Sequence, residues 1–270
     1  MKRLFMFITW FLTTSVQASD HLFYPDLRMM GMGGFQVTQS QYVNPALLPV
    51  LEERTIHLGC YDSYGLRELM TMGAACSYPN PWLSAGLDVA SFGYDAYRES
   101  QARLSLAKAL GKGWSLGVAF RYRFLQSELE TAAHVSALST DVGVVCHPVD
   151  NLLIGLLIQQ WPSVQLAKTE VDYQSVSYYA VQIGFHYRPI NSLLMAISMG
   201  TTEQERFTAH IGMEYVAWEH FSLRMGMQTH PFLPTAGVGW RMHHHWGMDV
   251  ACHWHQTLGI TSGIGLSYYF

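Results

Sequence analysis

Apolar and polar side chains alternate with a period of two along most of this chain. Trp114, Leu116, Val118, Phe120, Tyr122 and Phe124 fall on one face, and Ser115, Gly117, Ala119, Arg121 and Arg123 on the other. Successive residues of a strand point to opposite sides, so this stretch predicts a strand with one wholly apolar face and one small or charged face. Wound as a helix, the same residues leave no clean stripe. The pattern recurs at Tyr179–Tyr187, Phe207–Tyr215, Trp246–Trp254 and Ile260–Phe270. It predicts fourteen strands, over 54–62, 67–78, 82–93, 98–109, 114–125, 134–146, 151–161, 176–188, 191–201, 205–217, 220–229, 234–242, 245–255 and 258–270. Their lengths suit a tilted strand crossing a hydrocarbon layer, which takes about 9–11 residues. One set of connections is tight, among them Pro79-Asn80-Pro81, Leu110-Gly111-Lys112-Gly113 and His243-His244. The other set varies, and its longest loop is expected over Pro162–Ser175.

Composition decides what the apolar face meets. Apolar residues make up 49% of the chain and charged residues only 13%, against about 25% charged in soluble domains. A soluble sandwich or propeller also alternates, but it needs charge on its exposed face. Here the regular outward face is apolar in nearly every strand. No run after residue 12 reaches the roughly 18 apolar residues of a membrane helix. The expected fold is therefore all-β: a 14-stranded antiparallel transmembrane barrel, apolar outside and polar within. An even strand count puts both termini on the side of the short turns, the periplasmic side of an outer-membrane barrel. The net charge of −4 argues against a nucleic-acid surface.

Three divisions follow. Lys2 and Arg3, the short apolar run Leu4–Leu12 and Val16-Gln17-Ala18 read as a secretory leader over residues 1–18, cleaved after Ala18, because the apolar run is too short to span. Residues 19–53, rich in Gly and Met, fit no strand pattern and are expected to enter or cap the lumen as a small plug. Residues 54–270 form the barrel. Cys60, Cys76, Cys146 and Cys252 all fall on the outward face and out of register with one another, so no disulfide is expected.

The candidate chemistry lies inside. The alternation places Asp88, Arg103, Arg121, Arg123, Asp141, His186, Arg206, His210, Glu214, Arg224, Arg241 and Asp249 in the lumen. Charges there must be paired or hydrated, either as a cross-barrel salt-bridge network that fixes the plug or as a polar pathway for a solute. Ala119 shares that face and is expected to border water and carboxylates, so that a further charge there is tolerated. His243, His244, His245, His253 and His255 invite a metal, but no Cys or carboxylate completes a defined geometry, and no metal or cofactor is expected. Gly31-Met32-Gly33-Gly34 lacks the preceding strand and following helix of a nucleotide loop. Neither a nucleophile elbow nor a paired-carboxylate spacing appears, so no enzyme is expected.

The stretch Leu27-Arg28-Met29-Met30-Gly31-Met32-Gly33-Gly34-Phe35, followed by Val43-Asn44-Pro45-Ala46-Leu47-Leu48, resembles the start of FadL-like outer-membrane barrels. It is most similar to their smaller branch in Bacteroidetes, the PorV and PorQ type linked to type IX secretion. The terminal Tyr268-Tyr269-Phe270 looks like the aromatic signal read by the barrel assembly machinery. The resemblance implies that Gly31, Gly33, Gly34, Asn44, Pro45 and Ala46 belong to a plug motif. It also implies passive passage of a small or hydrophobic compound through an outer-membrane channel. The outer loops here are shorter than those of FadL transporters, which keeps a second expectation open: a non-transporting accessory barrel of a secretion or surface-assembly complex. The expected partners are outer-membrane lipid, the assembly machinery and, for the second reading, secretion-complex proteins.

Overall fold

The computed structural model describes residues 26–34, 36–127, 133–167, 179–202, 207–242 and 245–270. The leader at 1–18, Arg206, His243 and His244 lie outside them. The described strands are β1 (Thr55–Asp62), β2 (Met70–Tyr78), β3 (Ser84–Tyr94), β4 (Tyr97–Gly111), β5 (Trp114–Ser127), β6 (Ala133–Val149), β7 (Leu152–Gln159) and β8 (Ser163–Ala167). They continue with β9 (Ala180–Ile190), β10 (Leu193–Thr202), β11 (Thr208–Trp218), β12 (Phe221–Gln228), β13 (Leu233–Met242), β14 (Trp246–His255) and β15 (Gly259–Tyr269). Every pairing is antiparallel between neighbours, and β1 pairs with β15, which closes the wall. β7 and β8 both pair with β6 and occupy one position in the wall, giving a closed 14-stranded barrel.

The expected alternation is what the barrel uses. On β5, Ser115, Gly117, Ala119, Arg121 and Arg123 are buried, while Trp114, Leu116, Phe120 and Tyr122 are exposed. The same outward apolar face runs round the wall: Leu58, Leu87, Leu104, Leu156, Ile183, Met195, Ile211, Met225, Val250 and Ile264 all face out. A closed wall of strands has no unpaired edge and satisfies its backbone internally, so this surface can sit in hydrocarbon. Trp82, Trp114, Trp218, Trp240 and Trp246 ring the end with the tight turns, and Trp161, Tyr179, Phe207, Phe232 and Trp254 the far end. Both rings match the aromatic girdles of membrane barrels. All four cysteines are free, and Cys60 and Cys76 pair with Met72 and Ile56 rather than with each other.

Three expectations need correction. Residues 67–69 form a 3-10 turn, and β2 starts only at Met70. The supposed loop Pro162–Ser175 begins with a strand, β8, because the β7 wall resumes after a break at Gln160–Pro162. Gln160 takes a left-handed φ of 56° there, and its neighbours keep the bond to β6: Trp161 N–H donates to the Thr140 carbonyl at 2.9 Å, and Thr140 N–H to the Pro162 carbonyl at 3.2 Å. Third, Ala119 does not border water; it is 0% exposed. The lumen at its level is filled by the residues described next.

Candidate solute path: the lumen and its inner segment

Residues 26–34 and 36–50 lie inside the barrel, and most of them are buried. A short helix, α1 (Leu27–Gly31), is started by Asp26, whose side chain accepts from Met29 N–H at 3.1 Å. A 3-10 helix over Pro45–Val50 is capped by Asn44 Oδ1, which accepts from Ala46 N–H at 3.1 Å. Short side-chain oxygens at such positions satisfy the orphan donors of a helix start. Pro45 at the first turn has no N–H to lose.

The segment runs round the inner wall, and it fits because the wall is notched with glycine. A β-carbon on Gly237 would lie 3.1 Å from Gly31 Cα, and one on Gly226 2.4 Å from Gly33 N. On Gly212 it would meet the Met32 carbonyl oxygen at 2.1 Å, on Gly117 Ala46 N at 2.4 Å, and on Gly86 Leu48 Cδ2 at 3.2 Å. Glycine inside a strand weakens it and is kept where another backbone approaches closely. Gly33 and Gly34 themselves have φ of 92° and 85°, a region glycine enters at little cost. Hydroxyls then hold the backbone in place. Thr235 Oγ1 accepts from Gly33 N–H at 2.8 Å and donates to the Gly31 carbonyl at 3.1 Å. Ser198 Oγ accepts from Val37 N–H at 3.0 Å, and Ser115 Oγ donates to the Ala46 carbonyl at 2.7 Å.

Most lumen charges form two groups on separate parts of the wall, and each grips the inner segment. In the first, Arg103 Nε and Arg121 Nη2 reach Asp141 Oδ2 at 3.1 and 2.6 Å, and Arg103 Nη1 lies 3.5 Å from Asp88 Oδ1. Arg103 also donates to the carbonyls of Tyr42 and Val43 at 2.6 and 2.9 Å. Both arginines and Asp141 are completely buried. In the second, Arg224 joins Glu214 and Asp249 across β11, β12 and β14, and Arg28 of α1 forks onto Glu214 at 2.9 and 3.1 Å. Planar, two-pronged pairing of this kind favours arginine over lysine. His210 Nδ1 lies 2.8 Å from the Gly33 carbonyl oxygen. Arg123 is buried on β5 one row above Arg121, and His186 faces inward on β9. Arg241 sits at the tight-turn mouth, half exposed, paired with Glu53 and stacked over the Tyr269 ring. Among the described residues no cluster of His, Cys, Asp or Glu could hold a metal ion.

Above the charged rows, toward the far end, the inner face carries a mixed patch, in which Glu99 lies in register between Phe92 and Leu125 and accepts from the Tyr97 hydroxyl. Leu125, Val135 and Ala137 pack together with Tyr97 against them, and Phe92 meets Tyr97 edge to face. This patch, Arg28 and the close approach of the inner segment to the inward glycines are absent from the sequence reading. The glycines carried a signal: they recur at inward positions in the middle of otherwise strong strands.

No family model and no curated protein matches this chain. Solved structures do. The CymD monoaromatic hydrocarbon channel aligns with a TM-score of 0.68 at 10% identity, over 90% of this chain and 96% of that one. The P. putida toluene transporter TodX gives 0.65 at 11% identity, over 91% and 99%. A Pseudomonas aeruginosa FadL homologue gives 0.53 at 12% identity, over 90% and 96%. The chain thus shares its fold with these solved barrels. At these identities the likeness concerns the fold alone.

Proposed function

We propose that this protein is an outer-membrane channel for small hydrophobic compounds, with its tight turns periplasmic and its inner segment acting as a plug. The observation that carries this is the break in the wall at Gln160–Pro162. The β7–β9 ladder ends at Gln159 opposite Ala180. At the next residue Gln160 leaves strand geometry, and its N–H is taken by Asp141 Oδ1 at 3.0 Å inside the barrel. A polar lumen filled by an inner segment favours a route for an apolar solute from the Leu125, Val135 and Ala137 cluster at the far end toward the wall, rather than straight through. The similarity to a toluene transporter and to a monoaromatic hydrocarbon channel supports an apolar cargo. Export by the leader 1–18 belongs to the same proposal. The test is uptake of a radiolabelled monoaromatic hydrocarbon into liposomes that enclose a trapping enzyme. Uptake well above empty liposomes is expected; uptake equal to empty liposomes defeats the proposal.

The second reading is an accessory barrel of the PorV and PorQ type that transports nothing. The two ion groups that tie the inner segment to separate parts of the wall support it. It predicts neither uptake nor conductance in the same liposomes.

A further inference from the structure

The outward face of β2–β5 carries a depression. Two rows of side chains define it by register. Met72, Ser91, Ser100 and Phe124 lie side by side across the four strands, and Ala74, Val89, Ala102 and Tyr122 form the row beneath. The floor is small: the hydroxyls of Ser91 and Ser100 lie 3.3 Å apart in the middle, with Ala102 below. Met72 and Phe124 stand at its sides, and the shallow, open groove has a volume of about 510 Å³. The next row down is Cys76, Leu87, Leu104 and Phe120, which closes the bottom. The row above is Gly93, Arg98 and Gln126. The trough therefore rises over a glycine to a guanidinium at the far rim. From Arg98 to Leu104 is about 20 Å along the strand, or about 15 Å of depth at the usual barrel tilt, one leaflet of the hydrocarbon layer.

The rim carries both signs of charge, and Arg98 stands directly over the trough, one row above Ser100. Arg67, in the turn leading into β2, and Arg98 both stand at the far end over this part of the wall. Arg98 has Asp95 at 3.3 Å, with both side chains largely exposed, and Glu68 flanks Arg67. Exposed pairs of that kind are worth little and yield readily to a doubly charged phosphate, which arginine binds in two-pronged fashion.

We propose that this groove is a binding site for a phosphorylated, acylated lipid of the outer leaflet, with one acyl chain in the Ser91–Ser100–Ala102 trough and a headgroup phosphate on Arg98. The placement in the outer leaflet rests on the orientation proposed above; the site itself does not depend on transport. The test is native mass spectrometry of the full chain released from detergent. The probes are a phosphorylated acylated disaccharide lipid, its dephosphorylated form, and phosphatidylethanolamine. One bound phosphorylated lipid is expected, held about tenfold more tightly than the dephosphorylated form. Ala102→Leu fills the trough from the lipid side and should abolish retention, Arg98→Gln should erase the preference for phosphate, and Ala209→Leu on the opposite wall should change nothing. Retention that survives Ala102→Leu, equal retention of phosphorylated and dephosphorylated lipid, or a dimer in place of the lipid adduct each overturns the proposal. Loss of hydrocarbon uptake with lipid retention intact would instead count against the channel reading alone.

Discussion

Gly117→Val tests the seating of the inner segment most directly. A β-carbon at this position would lie 2.4 Å from Ala46 N, 2.5 Å from Pro45 C and 2.9 Å from Ala46 Cα. Carbon contacts relax near 3.5–4.0 Å, so the inner backbone must retreat by about 1 Å. No rotamer escapes this, because the obstructing atoms are backbone. The retreat stretches the 2.7 Å bond from Ser115 Oγ to the Ala46 carbonyl, worth about 1 kcal/mol. It also loosens Ala46 and Leu47 from Val145 and Leu153. Overpacking typically costs about 1–3 kcal/mol. Opposing this, valine suits a strand better than glycine, by up to about 1 kcal/mol. The net expectation for the full chain is a loss of about 1–3 kcal/mol, seen as a lower urea midpoint for the heat-modifiable band shift in lipid. The inner segment, no longer seated, should also expose Arg28 to trypsin. In a chain lacking residues 26–50 only the strand preference remains, so the same substitution should be neutral or slightly stabilising. Equal destabilisation with and without the segment would show that β5 does not carry its weight against Pro45-Ala46, and the glycine argument would fail.

Arg103→Met should be severe, costing about 3–5 kcal/mol of unfolding free energy, because it leaves Asp88 without its guanidinium and releases the Tyr42 and Val43 carbonyls together; a midpoint shift no larger than that of Arg241→Met at the exposed mouth would refute this. Val118→Arg places a charge in hydrocarbon at about 2–4 kcal/mol and should cut folded yield in lipid, whereas Val118→Leu should leave it unchanged. Ala119→Arg, at a position with no exposed surface, should fold poorly as well, and normal folding of that variant would mean that the lumen there is hydrated. The mature protein should show four free thiols in an unreduced mass, and all four should react faster with a lipid-soluble maleimide than with a charged one.

The sequence alone settled the wall. Strand alternation is a local property: each side chain's face follows from its parity, so Trp114 to Phe124 announced both an apolar outside and a polar inside, and the scarcity of charge said that the outside meets lipid. The inward charges were legible for the same reason, since Arg103, Arg121, Asp141, Glu214, Arg224 and Asp249 all lie where parity put them. What parity could not say is which of them meet. Asp141 joins Arg103 and Arg121 only because β4, β5 and β6 are in a register set by turns and pairing along their whole lengths. Arg28 meets Glu214 across a separation of 186 residues, a contact that no local pattern encodes. The sequence reading carries the strand through 161 and starts a loop at Pro162, because a proline after an apolar run looks the same whether the strand stops or resumes. The filling of the lumen was likewise a tertiary decision. Glycines at inward positions state only that something approaches closely, and it took the path of residues 26–50 around the wall to show that the visitor is the chain's own N-terminal segment.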